Sequence, residues 1–107
     1  MKSITIINGL SAAVNITSPG VSLGDYSEYS VHCDFSGTTL AGTLVLQVSN
    51  DNSDWVDIPS SSQAITSAAS HMWNVTGAAY DWVRVFWTAS SGTGTLTAKL
   101  RIKKALS

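Results

Sequence analysis

Residues 80–103 read YDWVRVFWTASSGTGTLTAKLRIK, two alternating runs separated by a glycine-rich break. Successive side chains of a β-strand point to opposite faces. Trp82, Arg84 and Phe86 therefore share one face of the first run, and Val83, Val85 and Trp87 share the other. Bulk on both faces predicts a central strand. In the second run Leu96, Ala98, Leu100 and Ile102 oppose Thr95, Thr97, Lys99, Arg101 and Lys103. The break at residues 90–94, SSGTG, reads as a turn, so the whole stretch is expected to form a hairpin.

The same period of two runs outward from this stretch. Over residues 29–35, Tyr29, Val31, Cys33 and Phe35 fall on one face, with Ser30, His32 and Asp34 on the other. Residues 39–49 place Leu44, Leu46 and Val48 inward and Thr43, Val45 and Gln47 outward, with Gly42 marking a bend. After the polar interruption SNDNSD, a short strand at 55–58 is ended by Pro59, and a loop-like SSSQ follows. Weaker strand signals lie at 64–66 and 72–75. Near the start, Ile4 and Ile6 suggest one strand and Ala12, Val14 and Ile16 another, before Ser18-Pro19-Gly20 breaks the chain. Asn8 and Gly9 interrupt the apolar run of MKSITIINGLSAAV, which is therefore expected to be a first strand rather than a signal segment.

Seven or eight short strands, each with an apolar face to bury, predict an all-β fold. The expected architecture is an antiparallel β-sandwich or jelly-roll-like barrel, occupying residues 1–107 as a single domain. A chain of 107 residues buries roughly two-thirds of its unfolded surface, enough to fold without covalent staples.

Composition narrows the function. Six basic residues against seven acidic ones, for a net charge of −1, give no general field for nucleic acid or anionic lipid. No apolar run approaches the roughly 18 residues of a membrane span. Cys33 is the single cysteine, so the chain can form neither an internal disulfide nor a cysteine-based metal cluster of its own. A reducing compartment is expected.

The loop SNDNSDW, residues 49–55, carries Asp51, Asn52 and Asp54, oxygen donors of the kind calcium prefers. It lacks the alternating donors, sixth-position Gly and twelfth-position Glu of an EF-hand, and reads as a turn held by Asn and Asp side chains. His32 and His71 lie in no catalytic motif, Cys33 falls on an apolar face, and no carboxylate pair is adjacent in sequence. The expectation is no enzyme, no cofactor and no metal. Four tryptophans are many for this length, and exposed Trp serves as an interface anchor or sugar platform. Trp82 and Trp87 cannot both enter one side of a sheet. Lys99, Arg101 and Lys103, with Lys104 beyond, form a basic stripe expected to guard a sheet edge or meet an acidic partner. The candidate interface residues are Trp55, Trp73, Trp82, Trp87, Arg84, Lys99, Arg101 and Lys103.

The run GTLVLQVSNDNSDWVDIP, followed by YDWVRVFWTASSGTGTLTAKLRIK, resembles small virion proteins of tailed bacteriophages. The likeness covers residues 29–104. It implies a structural β-sandwich of the virion, such as a head decoration or cement protein, or a tail or fibre part. It also implies contacts with the major capsid protein or other virion proteins, often as a homotrimer. The S-N-D…W and W-V-R-V pieces are also similar to discoidin-type β-sandwiches, which implies the alternative of a carbohydrate-binding adhesin or receptor-binding module.

Overall fold

The computed structural model describes residues 2–23, 26–58, 61–66, 70–78 and 80–103. Among these residues eight strands form one antiparallel sheet: β1 (Lys2–Ser11), β2 (Ile16–Thr17), β3 (Val21–Ser22), β4 (Glu28–Ser49), β5 (Val56–Asp57), β6 (Gln63–Ile65), β7 (Ser70–Val75) and β8 (Trp82–Lys103). The all-β reading and the strand number hold, but the connectivity of the longest elements differs. Residues 82–103 form one continuous strand, not a hairpin, and residues 28–49 form its equally long antiparallel partner.

A straight strand of 22 residues would span about 73 Å. The longest extent of the molecule is 44 Å, so the β4–β8 ribbon must fold over on itself. Phe35 pairs with Leu96 while Trp87 pairs with Leu44, yet the Phe35 and Trp87 rings lie 4.8 Å apart between centroids. The fold-over makes two layers from one ribbon. One layer runs β1–β8–β4–β7, using residues 95–103 of β8 and 28–36 of β4. The other joins residues 82–89 of β8 and 42–49 of β4, with β2 and β3 on one flank and β5 and β6 on the other.

The physical reason that no hairpin forms here lies in the opposite strand. Gly92, with φ +88, could reverse a chain, but pairing continues through it as Leu40↔Gly92 and Ala41↔Ser91. β4 bends at the same level, with register shifts between Ser36 and Thr39 and between Ala41 and Gly42. Gly37 sits there at φ +149, in the left-handed half of the map that favours glycine. Paired bulges turn both strands together and keep their backbone groups hydrogen-bonded, whereas a hairpin within 82–103 would leave β4 without this partner.

The folded ribbon encloses the core. Tyr29, Val31, Cys33 and Phe35 of one layer, with Leu96, Ala98, Leu100 and Ile102, face Leu44, Leu46, Val83, Val85 and Trp87 of the other. Trp87 is fully buried, and its indole Nε1 donates to the Ala12 carbonyl at 3.0 Å. Gly42 leaves room for that indole, since a Cβ there would stand 2.5 Å from its Cη2. Cys33 is buried as expected, and desolvation pushes its thiol up to about 12. Two further corrections concern the ends of the sheet. Ala12 and Val14 lie in the turn before β2, not in a strand. β8 is an interior strand between β1 and β4, so Lys99 and Arg101 occupy a sheet face and guard no edge. Pro59 and Lys104 lie outside the described residues.

Candidate functional site

The two layers turn chemically different faces outward. On the layer containing residues 28–36 and 95–103, the outward side chains of β4 and β8 are polar: Lys99 stands opposite Thr5 and His32, and Arg101 opposite Ser3 and Ser30. His32 Nε2 is 3.4 Å from Asp34 Oδ1 on this face. Lys103 pairs with Glu28 at the end of the same ladder.

The other layer presents Trp82, Arg84 and Phe86, which alternate with the buried Val83, Val85 and Trp87 as the sequence predicts. The register places Trp82 beside Ser49, Arg84 beside Gln47 and Phe86 beside Val45. Arg84 is fixed on this face by side-chain contacts. Its Nε donates to Gln47 Oε1 at 2.8 Å, and Gln47 Nε2 donates in turn to Asp57 Oδ1 at 2.8 Å. Its Cζ lies 4.2 Å from the centre of the Trp55 ring, a cation–π contact. Partial burial holds the Arg84 guanidinium below its ordinary pKa, though an arginine stays charged in proteins. Held by Gln47 at Nε and by the Trp55 ring over its plane, the guanidinium keeps a fixed orientation, with the planar fork that suits bidentate contact with a carboxylate.

The SNDNSDW loop delivers Trp55 to this position. Asp51 Oδ1 accepts from Ser49 Oγ and from the backbone N–H groups of Ser53 and Asp54, each at 2.9 Å. Ser49 Oγ accepts from the Asp51 and Asn52 amides at 3.2 and 3.0 Å. Asn52 takes the left-handed conformation at φ 60 that an Asn turn tolerates. These donors hold the Asp51 carboxyl below the usual carboxylate range. The loop is thus a turn built around one carboxylate oxygen. Among the described residues no three His, Cys, Asp or Glu side chains converge as a metal would need. Trp55 packs in turn on Gly20, where a Cβ would stand 3.0 Å from its Cζ2 and Cη2. With Arg84 over its ring and Gly20 against its edge, Trp55 is a clamp rather than a free platform.

The eight candidate residues therefore separate. Trp82, Arg84 and Trp55 come together on one outer face, joined by Phe86 and Gln47, which the sequence reading had not singled out. Lys99 and Arg101 lie on the opposite outer face. Trp87 lies in the core. Trp73 sits half-buried on β7, stacked edge-on with His71 at 4.9 Å and donating from Nε1 to the Ser61 carbonyl at 3.2 Å. His32 and His71 project to opposite sides of their layer, since Cys33 pairs with His71 and His32 with Met72. Beside the clamp, an open groove of about 450 Å³ is lined by Val48, Asn50, Asp51, Asp54, Val56 and Tyr80. The Tyr80 hydroxyl meets that of buried Tyr29 at 2.6 Å, which ties the two layers at this end.

The ribbon sandwich can be set beside known structures. The SPBc2 prophage-derived protein YomS superposes with a TM-score of 0.65 at 14% identity, over 95% of this chain and 92% of that one. The chain has the fold of a prophage-derived protein. The N-terminal cellulose-binding domain of Cellulomonas fimi β-1,4-glucanase C matches at a TM-score of 0.49 and 13% identity, over 97% of this chain and 79% of that one. A chain from the structure of infectious bursal disease virus Gx strain matches at a TM-score of 0.49 and 10% identity, over 92% of this chain and 30% of that one. No protein-family model and no curated protein matches the sequence.

Proposed function

We propose that the chain is a structural component of a bacteriophage virion, a decoration or cement protein that attaches to the major capsid protein or another virion protein. The observation that carries this reading is the Trp82–Arg84–Phe86 face, in which Arg84 is held by Trp55 and Gln47 before any partner arrives. Arg and Trp are the residues that most often carry binding energy at interfaces, and an immobilised Arg loses less freedom on docking. The likeness to virion proteins along residues 29–104 and a fold shared with a prophage-derived protein support the same setting. The chain then works by contact alone, made in the host cytoplasm and ending in the particle. Mass spectrometry of particles purified from the encoding phage tests this. The chain should be present in stoichiometric amounts, and its absence from intact particles would overturn the reading.

A second reading, carbohydrate binding by an adhesin or receptor-binding module, is favoured by the groove beside Tyr80. Asn50 and Asp54 there supply hydrogen-bonding groups for hydroxyls, and the Tyr80 ring an apolar surface for a sugar's C–H face. Glycan titration followed by tryptophan and tyrosine fluorescence tests it. Saturable binding lost in Tyr80→Ala would support it, and silence across host-surface glycans would remove it.

A further inference from the structure

Among the described residues no strand pairs with the outer edge of β1 or of β7, the outermost strands of the polar layer, and the two edges differ. β1 carries two register shifts against β8, between Thr5 and Ile7 and between Ile7 and Leu10. Bulges are a usual protection of an edge against a second chain, as are charged side chains on the edge. β7 has neither. Its ladder with β4 runs from Tyr29↔Val75 to Asp34↔Ser70 without a shift, and its sequence, SHMWNV, contains no Lys, Arg, Asp, Glu, Pro or Gly. At its centre, Met72 is 50% exposed on the outward face.

We propose that β7 pairs antiparallel with β7 of a second copy, about a two-fold axis through Met72. This inference is independent of the virion reading. The side chains of the strand are self-complementary in that register. Met72 meets Met72 of the second copy, so the half-exposed apolar side chains cover each other. Ser70 stands opposite Asn74. Its hydroxyl already donates to Asp34 Oδ1 and keeps lone pairs to accept from the asparagine amide. His71 stands opposite Trp73, which extends the edge-on pairing the two rings make within one copy. No like charges face each other, and a two-fold operation closes the assembly at two copies. This sets a two-copy unit in place of the three-copy one implied by the likeness to virion proteins. Five paired residues from each copy, 70 to 74, bury less than the roughly 1,200–2,000 Å² of a standard interface, so the dimer is expected to dissociate on dilution.

Register-specific cross-linking tests the proposal. Opposed Cα atoms in an antiparallel pair lie about 4.5–5.5 Å apart, within disulfide range. Met72→Cys should therefore link to itself in a glutathione redox buffer, while buried Cys33 stays out of the exchange. Ser70→Cys should not link to itself, because its copies would be about 13 Å apart. A mixture of Ser70→Cys and Asn74→Cys should link as a heterodimer. In sedimentation equilibrium the wild type should approach a two-copy mass with rising concentration, and Met72→Lys should weaken that association at least tenfold. A one-copy or three-copy mass at every concentration overturns the proposal. So does self-linking of Ser70→Cys as efficient as that of Met72→Cys, or a dimer indifferent to Met72→Lys.

Discussion

The Arg84 guanidinium carbon sits 4.2 Å from the centre of the Trp55 ring, which couples an interior strand to the loop that follows β4. The contact joins residues that the chain separates widely, and Gln47 completes it from the neighbouring strand. Arg84→Lys keeps the charge but loses the planar stack and the Nε donor. It should lower stability by about 0.5–1 kcal/mol in urea unfolding. An unchanged midpoint together with unchanged Trp55 fluorescence would show that the clamp contributes nothing.

Trp87 holds the two halves of the ribbon together through Phe35 and the Ala12 carbonyl. Trp87→Ala should destabilise the fold by about 3–5 kcal/mol, the range for emptying a buried aromatic site. Trp87→Phe should lose less, although it leaves the Ala12 carbonyl without the indole donor. Equal midpoints for Trp87→Ala and the wild type in chemical denaturation would contradict the folded-ribbon packing.

Much of this architecture was legible in the sequence, and the part that was not has a definite cause. Alternation placed Tyr29, Val31, Cys33 and Phe35 inward, and Leu96, Ala98, Leu100 and Ile102 with them, because a period of two is read locally. Residues 90–94 did not reveal their role, because Ser and Gly serve a hairpin turn and a bulge equally well. The choice was made by continued pairing with the other strand, where Gly37 lies in the first of the two register shifts. Val21 and Ser22 form too short a strand to give a periodic signal. The site was half legible: Trp82 and Arg84 share a face by simple alternation. Trp55 joins them only through Gly20 and Arg84, contacts that sequence spacing does not encode.

Ser18 is a polar residue that composition would place outside, yet it is buried, and it fills a gap in the sheet. Its hydroxyl accepts from the Val85 amide at 2.8 Å, while its own amide donates to the Val85 carbonyl at 2.9 Å. Ser18→Ala leaves the Val85 amide buried and unpaired, which should cost about 1–3 kcal/mol. Thermal unfolding of the variant measures this, and a midpoint within error of the wild type would refute it.

Asp51 gives the SNDNSDW loop an acid dependence. Its carboxyl is held below its unfolded pKa by the Ser53 and Asp54 amides. The unfolded chain therefore binds the proton more readily, and the contribution of Asp51 to stability is fully present above the unfolded pKa of about 3.9. It is lost as pH falls through the lower folded value. Asp51→Asn should flatten the stability profile in that acid window and leave its shape near neutral pH unchanged. Parallel profiles for variant and wild type below pH 4 would show that the carboxylate does not organise the turn.

The proposed attachment to the virion uses the Trp82–Arg84 face and not the opposite outer face. Reattachment of purified chain to particles stripped of it measures this directly, with Trp82→Ala/Arg84→Ala compared against Lys99→Glu/Arg101→Glu. Loss of an anchor residue at an interface typically costs about 2 kcal/mol or more, roughly thirtyfold in affinity. The first pair should fall by at least that factor while the second stays within a few-fold of the wild type. Equal retention by both, or loss confined to the Lys99 and Arg101 variant, would contradict the assignment of the Trp82–Arg84 face.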